Sequence, residues 1–480
     1  MNSRISRTLL GIAASAALMA AAPLFAGAGG AWRVFETARD NGHLLAEVPA
    51  PDGQLQAGAP VLACDPATRF QTMEGFGGAL TESSAWVLDQ LPPASRQDVV
   101  RHYYDPKVGI GYTLARTHIN SCDFSLGGWA LDPVEGDTAL SRFSLDPMRR
   151  WVLPLIHEAQ NAAGADRFHL LASPWSPPSW MKTNGRMTNG GALIPAYRQA
   201  WADYLVRFVQ AMEREEHIPV WALTVQNEPS AVQTWESCIF TASEERDFVR
   251  DHLGPALDRA GLSSLHLCVL DHNRDMIDAW TRTILGDPQT ARYVWGTAIH
   301  WYVSEDYAAA SRAHDAFPSK PILFTEGCVE GPLDPALHGR GKWEHGERYA
   351  HSMIHDFNNS VCGWIDWNIV LDQTGGPNHV GNFCYAPVIA DTETGAIHYQ
   401  TSFYYIGQFS RFVHPGAVRI GLAGGPLALE SVAFANPDGT VVVVALNRSV
   451  SALEFTLDMA GEKRACRLPA HAIQTYVRTL

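Results

Sequence analysis

The stretch "WALTVQNEPSA", residues 221–231, decides how this chain reads. Five apolar, strand-like residues, Trp221 to Val225, run into Gln226, Asn227, Glu228 and Pro229. An amide and a carboxylate are costly to bury without partners. A strand that projects both from its end and then stops at a proline is displaying chemistry at its tip. The fold question is what holds such a tip in place.

Seven other short apolar runs flank this one. They are "MEGFGGAL" (73–80), "YTLARTHI" (112–119), "FHLLASPW" (168–175), "LHLCVLDH" (265–272), "WGTAIHWY" (295–302), "PILFTEGC" (321–328) and "CGWIDWNIVL" (362–371). Between them lie stretches such as 144–163, 196–216 and 242–260, where apolar residues recur at three and four positions and charges take the other face. Asp146-Pro147 and Pro195 sit where helices would start. Strands alternating with helices eight times predict a (β/α)8 barrel in the α/β class. The rival is an open doubly wound sheet with a glycine-rich phosphate loop after its first strand. "GFGG" (75–78) is a weak form of that signal, because it lies inside a strand-like run.

The chain ends have another texture. Residues 31–70 and about 412–480 carry short alternating segments such as "VRIGL", "TVVVVALN" and "LEFTL", with turns such as Asn436-Pro437-Asp438-Gly439. They predict an antiparallel β-sandwich built from both ends of the chain. The expected division is a signal peptide over 1–28, sandwich strands over 29–73, the barrel over 74–405 and the remaining sandwich over 406–480. The leader reading rests on Arg4 and Arg7, an apolar run from Leu9 to about Ala26, and the small-x-small triplet Ala26-Gly27-Ala28. It implies a secreted or periplasmic protein cleaved near Ala28.

Bulk composition narrows the function. The 480 residues are 46% hydrophobic and 18% charged, with net charge −14, which disfavours nucleic acid as a partner. No later run is long enough to span a bilayer. Fifteen tryptophans suit stacking on sugar rings, though cores use them too. Eight cysteines in an exported chain raise disulfides. Cys122, Cys328 and Cys362 fall in or beside strand tips and read equally as buried thiols. No Cys/His cluster has zinc-ligand spacing, so neither metal nor cofactor is expected. Oligomeric state is left open.

Barrel enzymes carry their reactive groups at the C-terminal strand ends. The second run ends in Arg116 and His118, followed by Asn120 and Asp123; the third ends in Ser173 and Trp175. The fourth ends in Asn227 and Glu228, the sixth in His300, Trp301 and Tyr302, the seventh in Glu326, and the eighth carries Asp366, Trp367 and Asn368. Glu228 and Glu326, three strands apart around a ring, would face each other. Two carboxylates across a cleft are what glycoside hydrolysis requires, and Asn227 suits a donor to the sugar 2-hydroxyl. Each residue also has a plainer role. A tip glutamate can pair with Arg116, His300 can be a satisfied core ring, and Trp175 and Trp367 can pack the rim. Asp366 can be a ligand or a supporting partner. Glu82, Glu236 and Glu330 read as solvated or structural.

At these residues the chain resembles glycoside hydrolase family 30, in its lysosomal-type glucosylceramidase branch. The matching stretches include "GFGGALTESSA", "SCDFS" (121–125), "LLASPWSPPSWMKTNG" (170–185), "QNEPSA", "HWY" (300–302), "FTEGC" (324–328), "GWIDWN" (363–368), and "GGPN" followed by "NF" (382–383). The resemblance implies retaining chemistry, with Glu228 as acid/base and Glu326 as nucleophile. It implies that Asp123, Trp175, Asn227, Trp367 and Asn382 bind glucosyl hydroxyls, that His300 and Tyr302 flank the nucleophile, and that Arg116 supports it. It also implies free thiols at Cys122, Cys238 and Cys328. The segment "VQTWESCIF" (232–240) departs from the animal enzymes, so the aglycone stays open. The substrate is expected to be a β-glycoside carried on a small molecule, an oligosaccharide or a glycolipid. An exo-acting β-glucosidase or glucosylceramidase leads, an endo-acting β-1,6-glucanase or xylan-cleaving relative follows, and a non-catalytic sugar binder comes last. With two facing carboxyls, Glu228 is expected to carry the proton and Glu326 the charge, giving a rate bell on the acidic side of neutral.

Overall fold

The structure, a computed structural model, describes residues 30–51, 58–334, 341–459 and 461–479. The expected leader, 1–28, lies outside the described residues.

Eight parallel strands close into a barrel: β1 (Gly75–Ala79), β2 (Leu114–Ile119), β3 (His169–Pro174), β4 (Val220–Thr224), β5 (His266–Asn273), β6 (Gly296–His300), β7 (Ile322–Glu326) and β8 (Val361–Asn368), with β8 hydrogen-bonded to β1. All eight expected runs are barrel strands. The helices between them bury one apolar stripe against the ring. Helix Arg198–Glu216, for example, buries Trp201, Leu205, Phe208 and Met212, at spacings of three and four.

The glycines of "GFGG" serve closure, not phosphate binding. A Cβ on Gly77 would stand 2.0 Å from the Leu114 carbonyl oxygen, and one on Gly78 would stand 2.6 Å from Ile369. Only glycine lets β1 lie this close to its neighbours.

Both chain ends build one nine-stranded sheet. Its order is His43–Val48, Trp32–Ala38, Ala472–Thr479, Thr440–Asn447, Leu429–Ala435, Val418–Gly424, Val61–Thr72, Leu453–Met459, Glu462–Leu468. Pairing is antiparallel except where Thr456 meets Val61 in a parallel register. The sheet folds over an apolar filling of Trp32, Leu62, Val443, Phe455, Leu457 and Tyr476. It docks on the barrel through aromatic contacts, Phe35 with Phe412 at 4.4 Å between ring centres and Phe357 with Phe434 at 5.8 Å. All eight cysteines are free and buried. Among the described residues no helix is long and apolar enough to cross a membrane.

Candidate active site

The opening stretch forms β4 and then breaks. Glu228 takes a left-handed backbone conformation, φ 48°, uncommon for a residue with a Cβ. Its amide donates to the Asp271 carbonyl oxygen at 2.9 Å, and Ala231 N donates back to the Glu228 carbonyl at 2.9 Å. Pro229 therefore sits in a tight turn that aims the Glu228 side chain over the barrel mouth. Asn227 N is tied to the Pro174 carbonyl at 2.8 Å, and Gln226 Nε2 donates to the Trp175 carbonyl at 2.7 Å. The tip of β4 and the tip of β3 are thus one rigid unit.

Arg116 is the hub beneath them, fully buried on β2. Its Nη1 donates to Glu326 Oε2 at 2.5 Å, its Nη2 to Asn227 Oδ1 at 2.7 Å and Asp271 Oδ2 at 2.8 Å, and its Nε to Ser173 Oγ at 3.0 Å. The guanidinium also lies 4.7 Å from the Trp175 ring centre and 5.7 Å from that of Trp367. Those two indoles stack on one another, 5.3 Å apart and 24° from parallel. A buried arginine so fully paired is a framework group. Removing one partner of such a pair costs about 3–5 kcal/mol, because the other charge is left buried alone.

The two glutamates differ in their surroundings. Both Glu326 oxygens are bonded, Oε2 to Arg116 and Oε1 to Tyr302 Oη at 3.0 Å. Glu228 Oε1 faces two imidazoles instead, His300 Nδ1 at 3.5 Å and His272 Nδ1 at 3.7 Å. Burial pushes the Glu326 carboxyl above its ordinary value, against the pull of His300 and Arg116. Burial acts on Glu228 in the same sense, but His300 and His272 outweigh it and hold that carboxyl below its ordinary value. Burial alone would lower His300; the Glu326 carboxylate and the contacts to Asp271 and Glu228 raise it to about 9. The proton expected on Glu228 therefore rests, in the unliganded protein, on the imidazole beside it.

Asp271 is the residue that sequence reasoning missed. It accepts from Arg116, from Thr224 Oγ1 and Thr325 Oγ1, both at 2.7 Å, and contacts His300 Nε2 at 3.1 Å. Burial would raise its carboxyl, yet Arg116 and His300 hold it well below the carboxylate range. It sits at a bulge in β5. Leu270 and Asp271 both have positive φ, and the register with β6 shifts between Leu270 and His272. The bulge breaks the strand's alternation and re-aims the side chains at its end. The visible signal was "LDH" at the end of the fifth run.

Asp123 and Asn382 form a second cluster. Asn382 Nδ2 donates to Asp123 Oδ2 at 2.8 Å, while Asp123 Oδ1 is buried with no hydrogen-bond partner among the described residues. Burial, reinforced by Glu326, pushes this carboxyl up to about 8. The loop beneath is held by Glu236, whose Oε1 accepts from Ser121 Oγ at 2.6 Å and whose Oε2 lies 3.3 Å from His379 Nε2. Glu236 is structural and buried, not solvated, and so is Glu82, which accepts from Trp129 Nε1 at 2.9 Å. Glu330 is exposed. Asp366 is buried, and burial pushes its carboxyl well above the ordinary value.

The structure thus brings Glu228, Glu326, Arg116, Asn227, His300 and Tyr302 into one linked network, with Trp175 and Trp367 stacked against its hub. Asp123 and Asn382 stand beside it, close enough for Glu326 to act on the Asp123 carboxyl. A mouth lined by two carboxyls, aromatic faces and amides at the C-terminal ends of barrel strands defines a barrel glycosidase. Residues 73–413 match the glycosyl hydrolase family 30 TIM-barrel domain, and residues 416–476 match the family 30 beta sandwich domain. The chain belongs to glycosyl hydrolase family 30 and is an O-glycosyl hydrolase. It is 34% identical to the lysosomal acid glucosylceramidase of Mus musculus over 466 residues, which cover 93% of this chain and 89% of that one. It is 29% identical to an endo-1,6-beta-D-glucanase of Neurospora crassa over 432 residues, 86% of each chain. Among solved structures it is similar to SrfJ from Salmonella typhimurium, with a TM-score of 0.88 and 33% identity over 93% of this chain and 99% of that one.

Proposed function

We propose that this family 30 enzyme is a retaining β-glucosidase of the glucosylceramidase type, releasing a terminal β-glucosyl residue by double displacement. The observation that carries the reading is the unequal setting of the two carboxyls. Glu326 has a donor on each oxygen, which fixes its orientation for attack on the anomeric carbon. Glu228 faces the His300 ring, which can hand it a proton. In the first step Glu326 forms the glycosyl ester while Glu228, supplied from His300, protonates the departing oxygen. In the second step Glu228 takes a proton from water, and that water cleaves the ester.

The glucosyl reading is supported by the unpartnered Asp123 Oδ1, an acceptor or donor suited to a ring hydroxyl, and by Trp175 and Trp367 as apolar faces. The mouse relative supports a glucoside; the fungal relative favours an endo-acting β-1,6-glucanase as the second reading. Product analysis on β-1,6-linked gluco-oligomers, glucosylceramide and xylan separates them. Release of glucose alone fits the first reading, short oligomers the second. We also propose that the chain is exported, on the strength of its N-terminal pattern; a purified protein retaining Arg4 and Arg7 by mass would contradict this.

A further inference from the structure

We propose that Glu228, His272 and His300 form a binding site for a borderline transition-metal dication such as Zn2+, and that the bound ion silences the carboxyl read above as acid/base. The three ligand atoms, Glu228 Oε1, His272 Nδ1 and His300 Nδ1, lie within 4.8 Å of one another. The two measured edges, 3.5 and 3.7 Å, are close to the edge of a zinc tetrahedron, about 3.4 Å for metal–ligand bonds of roughly 2.0–2.2 Å. Imidazole with one carboxylate selects Zn2+, Cu2+, Ni2+ or Co2+ over Mg2+ or Ca2+.

The surroundings prepare the ligands. His300 is fully buried, and its Nδ1 has no hydrogen-bond partner among the described residues. Its other nitrogen is committed to Asp271 Oδ1 at 3.1 Å, and Asp271 is itself fixed by Arg116, Thr224 and Thr325. A carboxylate behind the outer nitrogen is the arrangement that orients metal-binding histidines. On His272, Asn273 Nδ2 lies 3.3 Å from Nδ1, which marks that nitrogen as the unprotonated acceptor, and a bound metal takes over the lone pair that this long contact holds. Two imidazole nitrogens and a carboxylate converging within 4.8 Å favour a cation between them. In the working enzyme a proton fills that role, and a metal competes for it. The ligands come from the tips of β4, β5 and β6, three neighbouring strands, which is why no sequence spacing announced them. A second histidine cluster, His351, His355 and Glu430, is a poorer site. Arg448 already bonds Glu430 at 2.7 Å and lies 3.0 Å from His351, putting a fixed cation where the metal would sit.

The test titrates chelator-stripped full-length protein with Co2+, read by visible absorption, and then with Zn2+, read by displacement of Co2+ and by hydrolysis of 4-nitrophenyl β-glucoside. The expected result is one equivalent of Co2+ with the intense visible bands of low coordination, and loss of hydrolysis with Zn2+ that EDTA restores. His272→Asn and His272→Gln should each raise the Co2+ and Zn2+ dissociation constants at least tenfold, while His355→Asn leaves them within twofold. Thermal unfolding of each variant identifies those that are folded, and either folded His272 variant suffices. Unchanged metal affinity in a folded His272 variant, or loss of the Co2+ bands in His355→Asn, overturns the site. The inhibition arm rests on the glucosidase reading, but the Co2+ arm does not. A His272-dependent spectrum without glucoside hydrolysis would sink that reading and keep the site.

Discussion

Asp123 and Asn382 should behave as one unit in catalysis. Replacing Asp123 by Ala removes a buried carboxyl that Asn382 reaches at 2.8 Å and leaves the incoming sugar hydroxyl unpaired. Burial keeps this carboxyl largely protonated at neutral pH, so losing it as a buried hydrogen-bond partner costs about 1–3 kcal/mol of transition-state stabilisation, roughly a 5- to 150-fold drop in kcat/KM. Replacing Asn382 by Ala removes the donor that orients Asp123, worth about 1 kcal/mol, in addition to any bond of its own that the proposed glucosyl site would give it. Much of what Asn382 contributes is thus already lost once Asp123 is gone. The double variant should fall short of the summed losses by about 1 kcal/mol or more. The assay is kcat/KM for 4-nitrophenyl β-glucoside and β-xyloside across the four proteins. Because Asn382 also holds Asp123, xyloside hydrolysis by Asn382→Ala should fall several-fold, and glucoside hydrolysis further. Losses that add within about 0.3 kcal/mol would refute the coupling. A wild-type preference for xylosides would refute the glucosyl assignment itself.

Glu326→Gln should abolish turnover of every substrate, since no other group forms the ester; Glu228→Gln should be milder on nitrophenyl glycosides than on alkyl glycosides, and azide should rescue it by yielding β-glucosyl azide. The first-formed product should be the β-anomer by proton NMR, and an α-anomer would end the retaining assignment. In chelator-treated protein, kcat/KM should fall in acid as Glu326 takes up its proton, at a pH above the usual carboxylate value because burial raises it. It should fall in alkali near the His300 value of about 9, as the Glu228–His300 pair loses the proton needed for the leaving group. This places the alkaline limb higher than the carboxyl pair alone suggested. His300→Gln removes a cation that lowers both carboxyls, so the acid limb should move up and the alkaline limb down, and an unchanged bell would contradict the proton assignment. Asp271→Asn should cost about 3–5 kcal/mol of stability by leaving Arg116 short of a counter-charge, read as a lower denaturant midpoint. Because Asp271 is held below its unfolded value, its stabilisation is present above about pH 4 and lost as pH falls further.

The barrel was legible because its signals are local and repeated. Each strand is a short apolar run, each helix keeps its three-and-four spacing, and each tip ends in polar groups. Glu228 and Glu326 were legible for the same reason, as carboxylates ending apolar runs. What stayed hidden depends on backbone turns or on contacts across the fold. Asp271 and His272 enter the site through a bulge that no side-chain period encodes. The role of "GFGG" depends on how near Leu114 comes, a distance and not a pattern. The buried place of Glu236 follows from its contacts with Ser121 and His379, far from it in sequence. The resting proton on His300 needs three carboxylates placed around one ring, and only the assembled mouth provides them.

The strand Trp32–Ala38 lies inside the sheet, hydrogen-bonded along its length to Ala472–Thr479, and Trp32 Nε1 reaches Glu462 across 430 residues of chain. During synthesis this first strand can pair on one side with His43–Val48, but its other edge has no partner until almost the whole polypeptide has left the ribosome. The barrel can assemble earlier, since its strands pair with neighbours as they emerge, but the sheet against which it docks cannot. A two-stranded unit with one open hydrogen-bonding edge must therefore wait through most of translation, a state prone to pairing with the wrong edge. Premature stops before residue 472 would leave that edge permanently unmatched, so even short losses at the far end should be read out as aggregation rather than as a trimmed but active enzyme.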